Sequence, residues 1–189
     1  MKQTLLVGIV CIFAAACARL IPHPPNVTPV IAMALVGGAY LGRKTGFIVP
    51  LAALLLSDMI LGFHGLMIYV YGSVILTVLI GMLVRRRKNP LTLVAGSLVS
   101  SALFFLITNT GVWLQGGGRV YPMTLEGLLL SYTLAIPFFR NSVFGDLLFV
   151  FVLAGLFEFS RRHIYLKDSV SDRSALPSKD AGKGVFRAR

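Results

Sequence analysis

The chain has 189 residues, 56% of them hydrophobic and only 13% charged, with a mean hydropathy of +0.82. Soluble domains average roughly 45–50% apolar and about 25% charged residues, so a soluble globular fold is excluded and an all-α integral membrane protein is expected. The net charge of +11 does not mark a nucleic-acid surface, because the basic residues fall in short clusters between apolar runs, as topology signals do.

The first stretch, MKQTLLVGIVCIFAAACARL, has the lysine, short apolar core and small residues of a secretory or lipoprotein signal. Ala14 stands where a lipoprotein signal usually carries leucine, and the apolar run continues through Leu20 and Ile21, so the segment reads as a retained span. Cys11 and Cys17 lie in that same run and imply neither a disulfide framework nor a metal knuckle. Next comes RLIPHPPNVTP. Pro22, Pro24, Pro25 and Pro29 forbid a regular helix and push their predecessors toward extended backbone. The segment also carries His23, Asn26 and Thr28, and it reads as a rigid polar loop at a membrane surface.

Apolar runs fall at about 4–21, 27–41, 47–62, 66–84, 91–108 and 143–160. A span needs about 20 residues, so the second and third runs must be buried among neighbours, tilted, or met by a thinned bilayer. A seventh stretch, 123–139, carries Glu126, Tyr132 and Pro137. With six spans and the N-terminus inside, the inner loops and tail collect nearly all the lysine and arginine, leaving Arg19, Arg119 and Arg140 outside. A seventh span would move Arg161, Arg162 and the tail outside, against the positive-inside bias. The expected architecture is therefore six transmembrane helices plus an outer-face amphipathic or re-entrant segment over about 123–139. Both termini are expected to be cytoplasmic, in a multi-pass protein of the cell (inner or plasma) membrane. Residues 1–165 form the transmembrane domain, and 166–189 a basic tail too polar to fold alone and suited to anionic lipid headgroups.

Polar residues concentrate toward the outer half. Asp58 and Asp146 lie inside spans, where an ionisable group costs about 2.5–3.5 kcal/mol on insertion scales and usually faces a polar interior. Arg140 ends the outer segment in PFFRNS, and its fork of donors calls for an anionic partner: Asp58, Glu126, Asp146 or an acidic solute. His64, Asn109, Trp113 and Asn141 belong to the same face. Each also has a structural reading: ion pairs closing helix ends, or aromatics in an interface belt. No G-x-x-x-x-G-K-[ST], H-E-x-x-H or G-x-S-x-G occurs, so no ATPase or hydrolase motif is present and no enzyme is expected. His23, His64 and Asp58 offer nitrogen and oxygen ligands but lie far apart in sequence, and no resident metal or cofactor is expected. Ala14-x-x-x-Ala18 and Gly38-x-x-x-Gly42 are small-residue pairs of the kind that let helices approach.

The segments RLIPHPPNVTPVIAMALVGGAYLG, FIVPLAALLLSDMILGFH and TNTGVWL followed by YPMTLEGLLLSYTLAIPFFRNSVFGDLL resemble a family of small bacterial transport proteins without assigned substrate. That family is similar in fold to the S-components, the substrate-binding subunits of energy-coupling factor transporters. The resemblance covers roughly 19–155 and implies a six-helix capture subunit that takes a small solute from the outer face. Its partners would be a transmembrane coupling protein and cytoplasmic ATPases, with membrane lipid around it and no nucleic acid. Ala14 and Ala18 would stand where such subunits carry a docking motif. Asp58 and Arg140 would fix charged groups on a polar solute, His23, Asn26 and His64 would give hydrogen bonds, and Trp113 an apolar wall. Thr28, Asn109, Asn141 and Asp146 complete the expected site. The competing expectation is a structural or assembly protein whose outer face binds another protein; a membrane enzyme using the histidines and aspartates comes third.

Overall fold

The computed structural model describes residues 2–22 and 24–174, with side chains over 5–22 and 24–164. His23 and residues 175–189, most of the expected tail, lie outside the described residues. The described chain is helical, with six helices in order: α1 (Lys2–Ala18), α2 (Val30–Tyr40), α3 (Arg43–Leu61), α4 (Met67–Val84), α5 (Pro90–Gly116) and α6 (Leu125–Ser174). A single 3-10 turn, Arg85–Arg87, follows α4. Four of the helices are long and apolar enough to cross a membrane, and α1 and α2 are shorter apolar helices. Large apolar side chains face outward along them, among them Ile60, Leu83, Val99, Leu134, Phe151 and Phe159. An outer surface of that kind suits lipid rather than water.

The α2 helix is apolar around its whole circumference, and all but its terminal tyrosine is buried. A helix hydrophobic all round belongs in a core, and α2 forms the axis of this one, touching each of the other five helices. Its closest neighbour is α4. A Cβ added at Gly38 would strike the Val78 carbonyl oxygen, and one at Gly81 the Leu35 carbonyl oxygen. Two glycines facing each other's backbone bring the helices together as small residues do in membranes. Gly38 thus serves contact within the chain, while Gly42 caps α3 in extended backbone. On the α3 side, Pro50 sits inside the helix with its ring against Gly37. The start of α5 is written locally. Asn89 and Thr92 form a reciprocal cap (Thr92 N–H to Asn89 Oδ1, 2.8 Å; Asn89 N–H to Thr92 Oγ1, 3.2 Å), and Pro90 takes the first helical position.

The expected outer-face segment over 123–139 is not a separate element: from Leu125 it is continuous with the run at 143–160 as α6. Pro137 lies within that helix on its exposed side. The backbone groups it frees can be met by local adjustment, as in other membrane helices. The same helix carries on through the domain boundary expected at 165 to Ser174.

Helix lengths then set the depth of the proline-rich loop. The 11 residues of α2 rise only about 16 Å at 1.5 Å per residue, roughly half of a 30 Å hydrocarbon core. The loop before α2 therefore lies well short of the outer ends of α5 and α6. It lodges against the middle of α6: Asn141 Nδ2 donates to the Pro25 carbonyl (3.2 Å), and a Cβ on Gly145 would lie 3.0 Å from the Val27 Cα. Between Leu125 and Asn141, α6 rises about 24 Å beyond that contact. The loop, whose residues 20–22 and 24–26 are exposed, thus sits below the outer ends of α5 and α6. At the opposite end, Arg85 donates to the Leu41 carbonyl (3.0 Å) and Lys88 lies over the Tyr40 ring (4.6 Å), whose face also meets Phe157 (5.1 Å). The basic clusters of the 41–44 and 85–88 loops therefore share one end of the bundle.

Candidate functional site

Two polar groupings occupy the level of the recessed loop. The first is a clasp around Asp58, a residue 1% exposed near the end of α3. Arg19, just past α1, pairs with it (Nη2 to Oδ1, 2.9 Å), and the Tyr71 hydroxyl of α4 donates to the other carboxylate oxygen (2.9 Å). The second arm of the guanidinium donates to Ser57 Oγ and to the Leu54 carbonyl (3.5 Å), and Ser57 in turn donates to Leu54 (2.8 Å). Both oxygens of Asp58 are thus engaged, and three helix ends are tied by one ion pair. Such a clasp satisfies the charge of a buried carboxylate; it offers a solute no free charge.

The second grouping surrounds a cavity of about 280 Å³ between the loop, α4, α5 and α6. Its walls are Phe104 and Phe105 of α5, Phe138 and Phe139 of α6, with Leu66 and Val70 opposite. Phe105 packs against both Phe139 (4.7 Å between centroids) and Tyr132 (5.8 Å), and the Tyr132 hydroxyl bonds Thr110 Oγ1 (2.7 Å), which holds that wall in place. The polar lining is Asn26, Ser101, Thr108, Asn109 and Ser142. Asn26 is held in left-handed backbone (φ 63°), a conformation asparagine tolerates better than most residues. Asn109 spends one amide proton on the Phe105 carbonyl (2.8 Å) and Thr108 its hydroxyl proton on Phe104 (2.7 Å). The Asn109 carbonyl oxygen and the Asn26 amide have no partner among the described residues. Ser101 is the link to Asp146: its hydroxyl lies 2.6 Å from Asp146 Oδ2, and Asp146 is 3% exposed.

The expected site is therefore divided. Asn26 and Asn109 line the cavity, Asn141 anchors the loop beside it, and Asp146 meets it through Ser101. Asp58 belongs to the clasp. Arg140 is exposed, with no acidic partner among the described residues, so the expected pairing with Asp58, Glu126 or Asp146 is not made. Asp58 is taken by Arg19 instead. Trp113 donates its indole N–H to the Pro122 carbonyl (2.8 Å), and Gln115 reaches the Gly65 carbonyl (2.7 Å), so both brace the far loops rather than wall the cavity. His64 is exposed in one of those loops, and Thr28 is half-buried at the entry to α2. No cluster of three His, Cys, Asp or Glu side chains occurs among the described residues. Arg19, Ser57, Tyr71, Ser101 and the four phenylalanines were not in the expected site. The FF pairs at 104–105 and 138–139 were the available signal, since each presents apolar rings beside a polar position on the same helix.

Comparison with known proteins adds one assignment. Neither a curated protein nor a solved structure matches the chain. A family model does match, over residues 1–171, which takes in α1 to α5, all but the last three residues of α6, and both polar groupings. The chain accordingly belongs to DUF6580, a family of unknown function.

Proposed function

We propose that the protein is a membrane-embedded capture or transport subunit for a small solute, and that the cavity between α4, α5 and α6 is where the solute sits. The observation that carries this reading is the cavity's composition: four phenylalanines facing a few oriented amides and hydroxyls at the recessed end of a short central helix. Ligand sites are mostly apolar hollows with a small number of fixed polar groups, and 280 Å³ falls just below their usual range of roughly 300–1,000 Å³. The charged groups expected to hold the solute do not line it. A compact, uncharged molecule with one flat apolar face and an amide-like or hydroxyl edge fits better than an acidic one. Energy would come from a separate coupling protein and ATPases, since the chain has no phosphate-cradling loop.

The test is native mass spectrometry of the full chain released from detergent, followed by thermal unfolding with any molecule it retains. Phe105→Ala and Asn109→Leu are expected to lose the retained mass and the thermal shift together. A cavity that retains nothing, and a partner protein that co-purifies through the 117–124 and 62–66 loops, would replace this reading with assembly.

A further inference from the structure

We propose that Asp146, Ser101 and Ser97 form a binding site for a single small monovalent cation, sodium, directly beneath the solute cavity. This inference rests on the capture reading only for its link to solute; the cation site stands on its own observations. Asp146 is buried in a span, and Ser101 is its sole hydrogen-bond donor among the described residues. No cation pairs with it among the described residues: α5 contains no ionisable side chain, α2 only Tyr40 at its far end, Arg19 is committed to Asp58, and Arg140 on the same helix is exposed. A carboxylate so placed needs a positive charge from elsewhere. On the facing helix, Ser97 and Ser100 are both fully buried, and neither hydroxyl has a partner among the described residues. Residues one turn apart share a helix face, so Ser97 lies beneath Ser101. The Ser101 hydroxyl has one proton and two acceptors in reach, Asp146 Oδ2 and the Ser97 carbonyl (2.9 Å). A cation resolves the charge of Asp146 and the Ser97 hydroxyl together, with Ser100 outside the site: the Ser97 and Ser101 lone pairs and the carboxylate turn to the ion, and the Ser101 proton goes to the carbonyl. A proton on Asp146 would neutralise the charge but leave Ser97 unpaired. Oxygen-only ligands call for a hard ion. One carboxylate balances one positive charge, whereas a divalent ion would leave a net charge in the span. Because Ser101 also lines the cavity, the ion and the solute share a residue, and each is expected to raise the other's affinity.

Thermal unfolding of the full chain in detergent, in sodium, potassium and choline chloride at equal ionic strength, tests the site without any solute. Sodium is expected to raise the melting temperature saturably and more than the other two. Asp146→Asn should abolish the sodium response. Should that variant fail to fold, Ser97→Ala, which exchanges an unpaired buried hydroxyl for hydrogen, should fold normally. It should also weaken sodium by at least roughly tenfold, the loss seen when even an outer-shell partner of a metal ligand is removed. Superimposable curves in the three salts would overturn the proposal, as would an undiminished sodium response in both variants. Stability that follows pH through Asp146 with no preference for sodium would assign the residue a proton instead. A sodium response in a protein that retains no solute would sink the capture reading and leave the cation site standing. A retained solute whose amount is indifferent to sodium would overturn the coupling.

Discussion

Arg19 and Asp58 are 39 residues apart in the sequence, yet the pair is 2.9 Å across and its side chains are 13% and 2% exposed. Removing one partner of a buried pair strands the other, which typically costs about 3–5 kcal/mol, whereas replacing both with apolar residues is often neutral. We therefore predict that Arg19→Met and Asp58→Asn each lower stability by that amount in denaturant unfolding, and that Arg19→Met/Asp58→Leu recovers most of it. Tyr71→Phe removes only a hydrogen bond to the carboxylate and should cost less, about 1.5–3 kcal/mol. Equal losses in the double variant and the sum of the singles would mean that the clasp does not act as a unit. Arg140 supplies the contrast. It is exposed and without an acidic partner among the described residues, so Arg140→Gln should change stability by under about 0.5 kcal/mol. The expectation of a pairing with Asp58, Glu126 or Asp146 came from its place inside PFFRNSVF; α6 turns that side chain outward, and nothing in the local sequence states which way a helix is rotated.

At the scale of elements, the short central helix determines where everything else can sit. Its fit against α4 depends on two glycines whose Cβ would meet backbone, which cannot move aside as a side chain can. Gly38→Ala and Gly81→Ala are each expected to cost at least the 1–3 kcal/mol usual for overpacking, roughly speaking, and a variant with unchanged melting temperature would contradict the α2–α4 packing. The depth of the proline-rich loop has its own test. In a background lacking Cys11 and Cys17, Val27→Cys/Gly145→Cys should form a disulfide on mild oxidation, because the Gly145 Cβ position lies 3.0 Å from the Val27 Cα and 3.1 Å from its Cγ1. A loop lying at the helix ends could not be linked there. Helix positions were largely legible: the runs at 47–62 and 66–84 became Arg43–Leu61 and Met67–Val84, since apolar length and flanking charge define a membrane helix. The exception is α6. The positive-inside count set 123–139 apart from the run at 143–160, but an acid in a first turn favours a helix start, and the backbone groups freed by Pro137 can be met locally, so the two stretches join in one helix.

Taken whole, the molecule pairs two short helices, α1 and α2, with four longer ones, and the mismatch creates the recess that holds both polar groupings. That is why the site was only half legible. Asn109 and Asp146 could be picked out as polar residues in apolar surroundings and Asn26 as a polar residue of the proline-rich loop, but their grouping depends on the length of α2, which brings Asn26 to the cavity that Phe105 lines and Arg19 to Asp58. Spacing along the chain carries no information about that depth. The direction of the bundle in the membrane follows from charge, and it decides from which side the recess opens. Arg85, Lys88 and the 41–44 loop gather at one end, while the loops at 62–66 and 117–124, with Gln115 bonded to Gly65, gather at the other. Basic clusters are retained on the cytoplasmic side, so the recess is predicted to face outward. Single cysteines at Gly65 and Gly117, again without Cys11 and Cys17, should react with a membrane-impermeant thiol reagent in intact cells, and a cysteine at Arg86 should react only after lysis. Neither glycine replacement is crowded: a Cβ at Gly65 meets only the end of Gln115, and one at Gly117 touches a single carbonyl at 4.0 Å. Gly117 is in left-handed backbone (φ 52°), so Gly65 is the cleaner reporter. Labelling of Arg86→Cys alone in intact cells would invert the bundle, leave the cavity opening to the cytoplasm, and make capture from outside untenable.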